Sequence, residues 1–317
     1  MPYSPDFLKG VKIDIPEINK KTHPNIVTHK NKKTKKVLEY EHHSVILNKD
    51  RRLAIISACN IDGNLIPDGP IKRRGNFKNN SEIGDLDQLG TSFYKKCGKL
   101  IDKGHLTKFE DVIWGKGLTT TEFEALGRTT NFYPNAAPQH RRLNRGKWKS
   151  LELYILDTET EEKELKICMF TGPVLNENDP AFVHEVDGNS FQMPILFWKI
   201  VMYNKNNKLY ALGFMMSHQK LLAKANLIRE IITKGPEEKK EGLYFTDWKY
   251  SKPFQVRVEQ IEETAGIKLK ASKPIIKPYK DDRPQKIIWR DINLKGPKLP
   301  GERRCFTNTR FTNLVTE

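Results

Sequence analysis

Three blocks close together in the chain decide how it is read: LIDKGHL at 100–106, TTNFYPNAAPQ at 129–139 and RLNRGKWKSLE at 142–152. The first sets a glycine beside a histidine, the second is punctuated by two prolines, and the third falls in a stretch, 141–156, that predicts a helix. Upstream, EYEHHSVILNKDRRLAIISACNIDG at 39–63 holds two β-rich runs, 44–47 and 53–59. They flank the polar turn Asn48, Lys49 and Asp50, which predicts an antiparallel hairpin. Buried strands are also predicted at 167–170 and 195–203, the latter pairing with 208–216 across the turn 204–207. Helices are predicted at 120–126 and at 218–233, where Leu221, Leu222, Ala225, Ile228, Ile231 and Ile232 fall near helical spacing, and 258–269 is amphipathic. A central, mainly antiparallel sheet flanked by helices makes the fold class α+β.

Composition narrows the function classes. The 317 residues carry 55 Lys+Arg against 39 Asp+Glu, a formal charge of +16, and 15 Phe, 10 Tyr and 5 Trp argue for a collapsed core rather than disorder. Such a surplus points to a polyanionic partner, because Lys and Arg that neutralise phosphates release counterions. Cys59, Cys97, Cys168 and Cys305 are too scattered for a zinc cluster. They suit reduced thiols, with two disulfides left open by spacing alone. No apolar run approaches the roughly 18 residues of a membrane span, and the first residues do not read as a secretion signal. As given, the sequence points to a cytoplasmic protein or one exported by a non-classical route.

Taken in order, the three blocks resemble the DNA/RNA non-specific endonuclease family, the ββα-metal or His-Me finger nucleases that include endonuclease G. The resemblance rests on Asp102-Lys103-Gly104-His105, on Asn135-Ala136-Ala137-Pro138-Gln139 and on Leu143-Asn144 followed by Trp148 and Leu151-Glu152. RRLAIISACNIDG, FTGPVL, MPILFWKIV and FQVRVEQIEETAGIKL add support, so that it spans roughly 40–269. It implies a ββα-metal active-site motif and cleavage of DNA and RNA with little base preference, leaving 5′-phosphate ends. Hydrolysing a phosphodiester needs an activated water, charge on the phosphoryl oxygens and help for the leaving 3′ oxygen. His105 suits the first task, since a neutral imidazole can take a proton from water near neutral pH. The resemblance makes Asn144 the metal ligand through its amide oxygen, for Mg2+ with Mn2+ as a substitute; Mg2+ keeps several waters and tolerates sparse protein coordination. On one helix from Arg141, Glu152 would lie about 80° around the axis from Asn144, which fits the family's acid that orients metal-bound water or a neighbouring basic residue. Asn135 would brace the catalytic loop or the metal helix. Arg73, with Arg74 as the other candidate, would bind the scissile phosphate, where a guanidinium can engage two oxygens.

Other readings stay open at this stage. Asn144 could cap the helix, and Arg73 could be a solvated charge. Trp148, Phe197 and Trp198 read as core rather than as base-stacking platforms. Lys103 stands where the family usually has Arg, keeping the charge but losing the planar fork, which predicts a slower or weaker-binding enzyme. Alternative functions are a nuclease fold whose catalysis has decayed and a basic polyanion-binding module. The expected organisation is a basic N-terminal arm at 1–36, an endonuclease domain at 37–271 and an extended tail at 272–317. Expected partners are DNA and RNA and no membrane, with a homodimer and an inhibitor or activating partner as further options.

Overall fold

The structure, a computed structural model, describes residues 1–161, 164–229, 253–286, 289–291, 309–311 and 314–316. In chain order its strands and helices begin with β1 (Ile13–Ile18), β2 (Leu38–Tyr40), β3 (His43–Asn48) and β4 (Leu53–Asp62). Then come α1 (Thr91–Lys96), β5 (Ile101–His105), α2 (Phe109–Val112), α3 (Thr120–Arg128), β6 (Ala136–His140), α4 (Arg141–Asn144) and α5 (Lys147–Leu153). The second half holds β7 (Lys166–Pro173), β8 (Leu196–Lys205), β9 (Lys208–Ser217), α6 (Gln219–Lys224), β10 (Phe254–Val256), α7 (Val258–Ala265) and β11 (Ile267–Ala271). Short strands β12 (Ile275–Ile276), β13 (Gln285–Lys286), β14 (Trp289–Asp291) and β15 (Thr309–Phe311) follow.

The main sheet runs β13-β10-β9-β8-β7-β4-β3-β2, antiparallel throughout, with β12 added in parallel beside β9. The predicted hairpins form as expected: Asn48 pairs with Leu53, and Lys205 with Lys208. The second turn has Asn206 and Asn207 at φ 50° and 61°, the left-handed pair that a tight hairpin turn requires. Side chains alternate across the sheet. On β8, Trp198, Ile200 and Met202 join one core with Phe170, while Phe197 and Val201 face the other with Met169, Trp148 and Leu151. Burying a side chain of Phe or Leu size contributes roughly 1.5–3 kcal/mol, and two such layers fasten the helices to both faces. Trp148, Phe197 and Trp198 are core residues, each at most 1% exposed.

Several expectations are corrected. The helix expected over 141–156 is two pieces, because the chain breaks at Gly146, with φ −103° and ψ −127°. A Cβ there would lie 2.3 Å from the Arg142 carbonyl oxygen, so only glycine lets the turns approach. The helix from 218 stops at Lys224, and Ile231, Ile232 and Thr233 lie outside the described residues. The amphipathic run 258–269 is helical to Ala265 and then becomes β11. Among the described residues, segments on either side of 37–271 also join the core and its sheets. β1 pairs with β11, and Tyr3, Leu8, Val11 and Ile13 are buried. Beyond 271, β12 and β13 extend the main sheet. Cys59, Cys97 and Cys168 are free and buried, and Cys305 lies outside the described residues.

Candidate active site

β5 and β6 form a two-stranded ribbon in which His105 pairs with Ala136 and Asp102 with Gln139. Gly104 is required there, since a Cβ would come within 2.2–2.7 Å of the buried Gln139 side chain. His105, at the end of β5, is half-buried, with the Phe77 ring 4.6 Å away. Its Nε2 lies 3.1 Å from Asn131 Oδ1. The Asn131 amide nitrogen is already committed, donating to the carbonyls of Arg74 at 3.1 Å and Gly75 at 3.5 Å. An amide oxygen only accepts, so Nε2 carries the hydrogen and donates it, which leaves Nδ1 of the neutral ring as the nitrogen with an available lone pair. Burial first, and then the Arg73 charge, lower the His105 pKa to about 4.

A second asparagine is held in a similar way. Asp102 takes a two-pronged ion pair from Arg145, at 2.8 and 2.6 Å, and accepts the Asn144 amide hydrogen at 2.9 Å. With Nδ2 so engaged, Oδ1 of the part-buried Asn144 is the atom left for another ligand. Asn144 ends α4, however, and Glu152 belongs to α5 beyond the break at Gly146. The angular relation expected on one helix does not apply. Nor does Asn144 cap a helix start, a place taken by His140, whose Nδ1 accepts from the Arg142 amide.

Asn135 is fully buried and fully bonded. Its Oδ1 accepts from the Thr107 amide and Ser57 Oγ, and its Nδ2 donates to the carbonyls of Thr107 and Thr130. It thereby fastens the turn after His105 to β4. Charges gather beneath α5. Arg73 pairs with Glu110 at 2.9 Å, Lys108 stands 3.8 Å from Glu110 and 3.9 Å from Glu152, and Lys199 lies 3.8 Å from Glu152. The last three are ion pairs too long to be hydrogen bonds.

Lys199 is 0% exposed and donates to Thr171 Oγ1 at 2.9 Å, with its ammonium 5.8 Å from the Trp148 ring centre. Ser57, Thr171 and Lys199 are direct neighbours in register across β4, β7 and β8, and form a polar row in an otherwise apolar face. Glu152 is buried, and its Oε1 and Trp148 Nε1 have no hydrogen-bond partner among the described residues. Burial raises the Glu152 pKa against the pull of Lys108 and Lys199. Glu110 goes the other way: burial would raise it, but Lys108 and Arg73 outweigh that and lower it.

Lys103 sits among three rings, with its ammonium 5.7 Å from Phe77, 5.6 Å from Tyr94 and 6.0 Å from Tyr133. Arg74 pairs with Glu124 at 3.1 Å. Among the described residues no cluster of three or more His, Cys, Asp or Glu is arranged to hold a metal. The donor set that fits a hard cation is the Asn144 oxygen completed by water and substrate oxygens.

The model of the DNA/RNA non-specific endonuclease family matches residues 22–274. The chain belongs to this family. The match takes in 22–39, so part of the stretch expected to be an arm lies inside the family's span. The chain is similar to the uncharacterized protein y4fB of Sinorhizobium fredii (strain NBRC 101917 / NGR234), 28% identical over 247 residues, 73% of this chain and 33% of that protein. It thus spans about a third of that relative's length. Among solved structures it is similar to a chain in the crystal structure of the EndoG/EndoGI complex, at 17% identity and a TM-score of 0.49, covering 73% of this chain and 84% of that one.

In this member of the family, β5 carries His105, Lys103 and the Asp102 that holds Asn144, and the ion pairs link Arg73 through Glu110 and Lys108 to Glu152. Arg74 is turned away to Glu124. Asn131, Lys108, Glu110 and Lys199 were missed in the sequence. Asn131 stands in the quoted block TTNFYPN but lacks any local pattern that marks it as the partner of His105. Lys199 did carry a signal, as the lone charge in the apolar run LFWKIVMY.

Proposed function

We propose that this endonuclease hydrolyses phosphodiester bonds of DNA and RNA with little base preference, using His105 Nδ1 as the base that takes a proton from the attacking water. What carries the reading is a pair of locked amides. Asn131 and Asn144 each have the nitrogen tied down, which leaves one imidazole nitrogen and one amide oxygen unengaged beside the same strand. A divalent cation held by Asn144 Oδ1, Mg2+ with Mn2+ as a substitute, would stabilise charge on the phosphoryl and leaving 3′ oxygens. Arg73 and Lys103 supply positive charge to the substrate backbone, Arg73 being nearly half exposed and aimed by Glu110. Glu152, poised between Lys108 and Lys199, holds these basic groups in place. Asn135 keeps the turn after His105 rigid. The products are 5′-phosphate ends.

The test is supercoiled plasmid incubated with Mg2+, beside EDTA and His105→Ala controls. Removing a general base lowers turnover by about 10²–10⁴-fold, so nicking should vanish in both controls. Tight binding without nicking in Mg2+ and in Mn2+ would sink the proposal in favour of a nuclease fold that only binds nucleic acid.

A further inference from the structure

Residues 29–37 form a closed, well-bonded turn. His29 is buried; its Nε2 lies 2.9 Å from the Val37 carbonyl, its amide donates to Lys35 O, and its carbonyl accepts from the Lys32 amide. The Lys35 amide bonds Lys32 O in turn. This scaffold presents Lys30, Lys32, Lys33 and Lys36 to solvent, with no acidic partner among the described residues, and only Lys35 is taken, by Glu39 at 2.7 Å.

The turn is joined to the active site. The Lys30 amide donates to Glu82 O at 2.8 Å, and the segment running back from Glu82 reaches Lys78, whose amide donates to the carbonyl of Asn131, the partner of His105. Lys72, Arg73, Arg74 and Lys78 are exposed along this segment, and the Lys78 ammonium lies 4.7 Å from the Phe132 ring. Of the acids beside it, Glu82 is turned to His29 at 3.8 Å and Asp85 accepts the Asn79 amide at 2.8 Å. Four residues from Lys78 to Glu82 span at most about 14 Å. With the hydrogen-bonded steps at either end, the turn lies within roughly 30 Å of His105, about nine base pairs at 3.4 Å each.

We infer that the 29–37 turn is an exosite for the phosphate backbone of a nucleic-acid duplex running from His105 over Lys78. The inference rests on the nuclease reading for the course of the substrate past His105. Fixed, unpaired ammonium groups suit this role because each phosphate they neutralise releases about 0.9 of a counterion. A turn held by a buried histidine presents them without having to be ordered on binding.

The test measures binding in the His105→Ala protein, so that no cleavage intervenes. The probe is a duplex of about 40 base pairs, long enough to reach the turn from His105. Lys32→Gln/Lys33→Gln/Lys36→Gln should lower the slope of log affinity against log salt by about 2–3 on the long duplex, and weaken binding roughly tenfold or more. The matching triple Arg variant should keep the long-duplex affinity. A control, Lys9→Gln/Lys208→Gln/Lys273→Gln, removes the same charge around the β8–β9 turn, where Asn204 bonds Lys9 and Asn207 bonds Lys273. If the loop and control variants weaken long-duplex binding equally, the exosite is wrong. Absence of nicking by the parent protein would instead overturn the nuclease reading, and the binding comparison would still decide the turn.

Discussion

The two sides of the active site are built on opposite principles. Around His105 the supports are neutral and satisfied: Asn131 and Asn135 spend their amide groups on named partners, and the neutral imidazole has one nitrogen committed. Beneath α5 the supports are charged and incompletely bonded, with Lys199 wholly buried and Glu152 Oε1 lacking a hydrogen bond among the described residues. Neutral hydrogen bonds fix where a group sits without tying it to pH. Buried charges fix protonation and potential, and they raise the stakes, because removing one partner leaves the other uncompensated.

The comparison predicts how each side fails. Lys199→Met should have the largest effect on stability: a buried pair broken on one side costs about 3 kcal/mol or more. In a domain of this size that lowers the thermal midpoint by roughly 6–12 °C. Lys199→Met/Glu152→Gln should recover part of the loss in the same thermal melt, since the buried carboxylate left with Lys108 alone is gone. If the double variant melts no higher than the single, the charge account of that side is broken.

On the neutral side the sharper probe is Asn131→Asp. A base is lost as pH falls through its pKa, and burial with Arg73 keeps that of His105 at about 4, so the acid limb of kcat/KM belongs well below neutrality. A carboxylate facing Nε2 favours the imidazolium, raises the pKa and moves that limb upward by about one pH unit or more. A pH profile that keeps its limb in the variant would show that Asn131 does not govern the base. The smallest effect is expected for Lys103→Arg. A guanidinium can stack in the same three-ring setting and adds a planar fork, so kcat/KM should rise about twofold to fivefold. An unchanged kcat and KM would remove the concern raised by the lysine.

The sequence showed the central strands because their signals are local. The 44–47 and 53–59 runs, and the Asn turn between β8 and β9, carry their own turn residues and β-branched content. The broken helix was hidden because Leu143, Trp148 and Leu151 keep a plausible helical spacing across Gly146, and only the close carbonyl of Arg142 shows why the glycine ends the first piece. β1 was missed for another reason: its partner, β11, lies some 250 residues away, and no local pattern announces such a pairing. The site divides likewise. His105, Asn135, Asn144 and Glu152 stand in recognisable blocks, whereas the Asn131 hydrogen bond and the Lys108–Glu152–Lys199 grouping exist only once separate elements meet.

The polar row Ser57, Thr171 and Lys199 also acts as a key for strand register. A slip of one residue in β8 would turn its side chains over. The ammonium would then enter the layer of Phe170, Cys168 and Ile56, where neither Thr171 nor Glu152 could meet it. An apolar strand of similar length slides cheaply between pairings; this one carries a penalty for every wrong choice. The lysine that supports Glu152 is therefore also a proofreading element of folding, and a chain whose sheet is misaligned cannot assemble the Lys108–Glu152–Lys199 grouping.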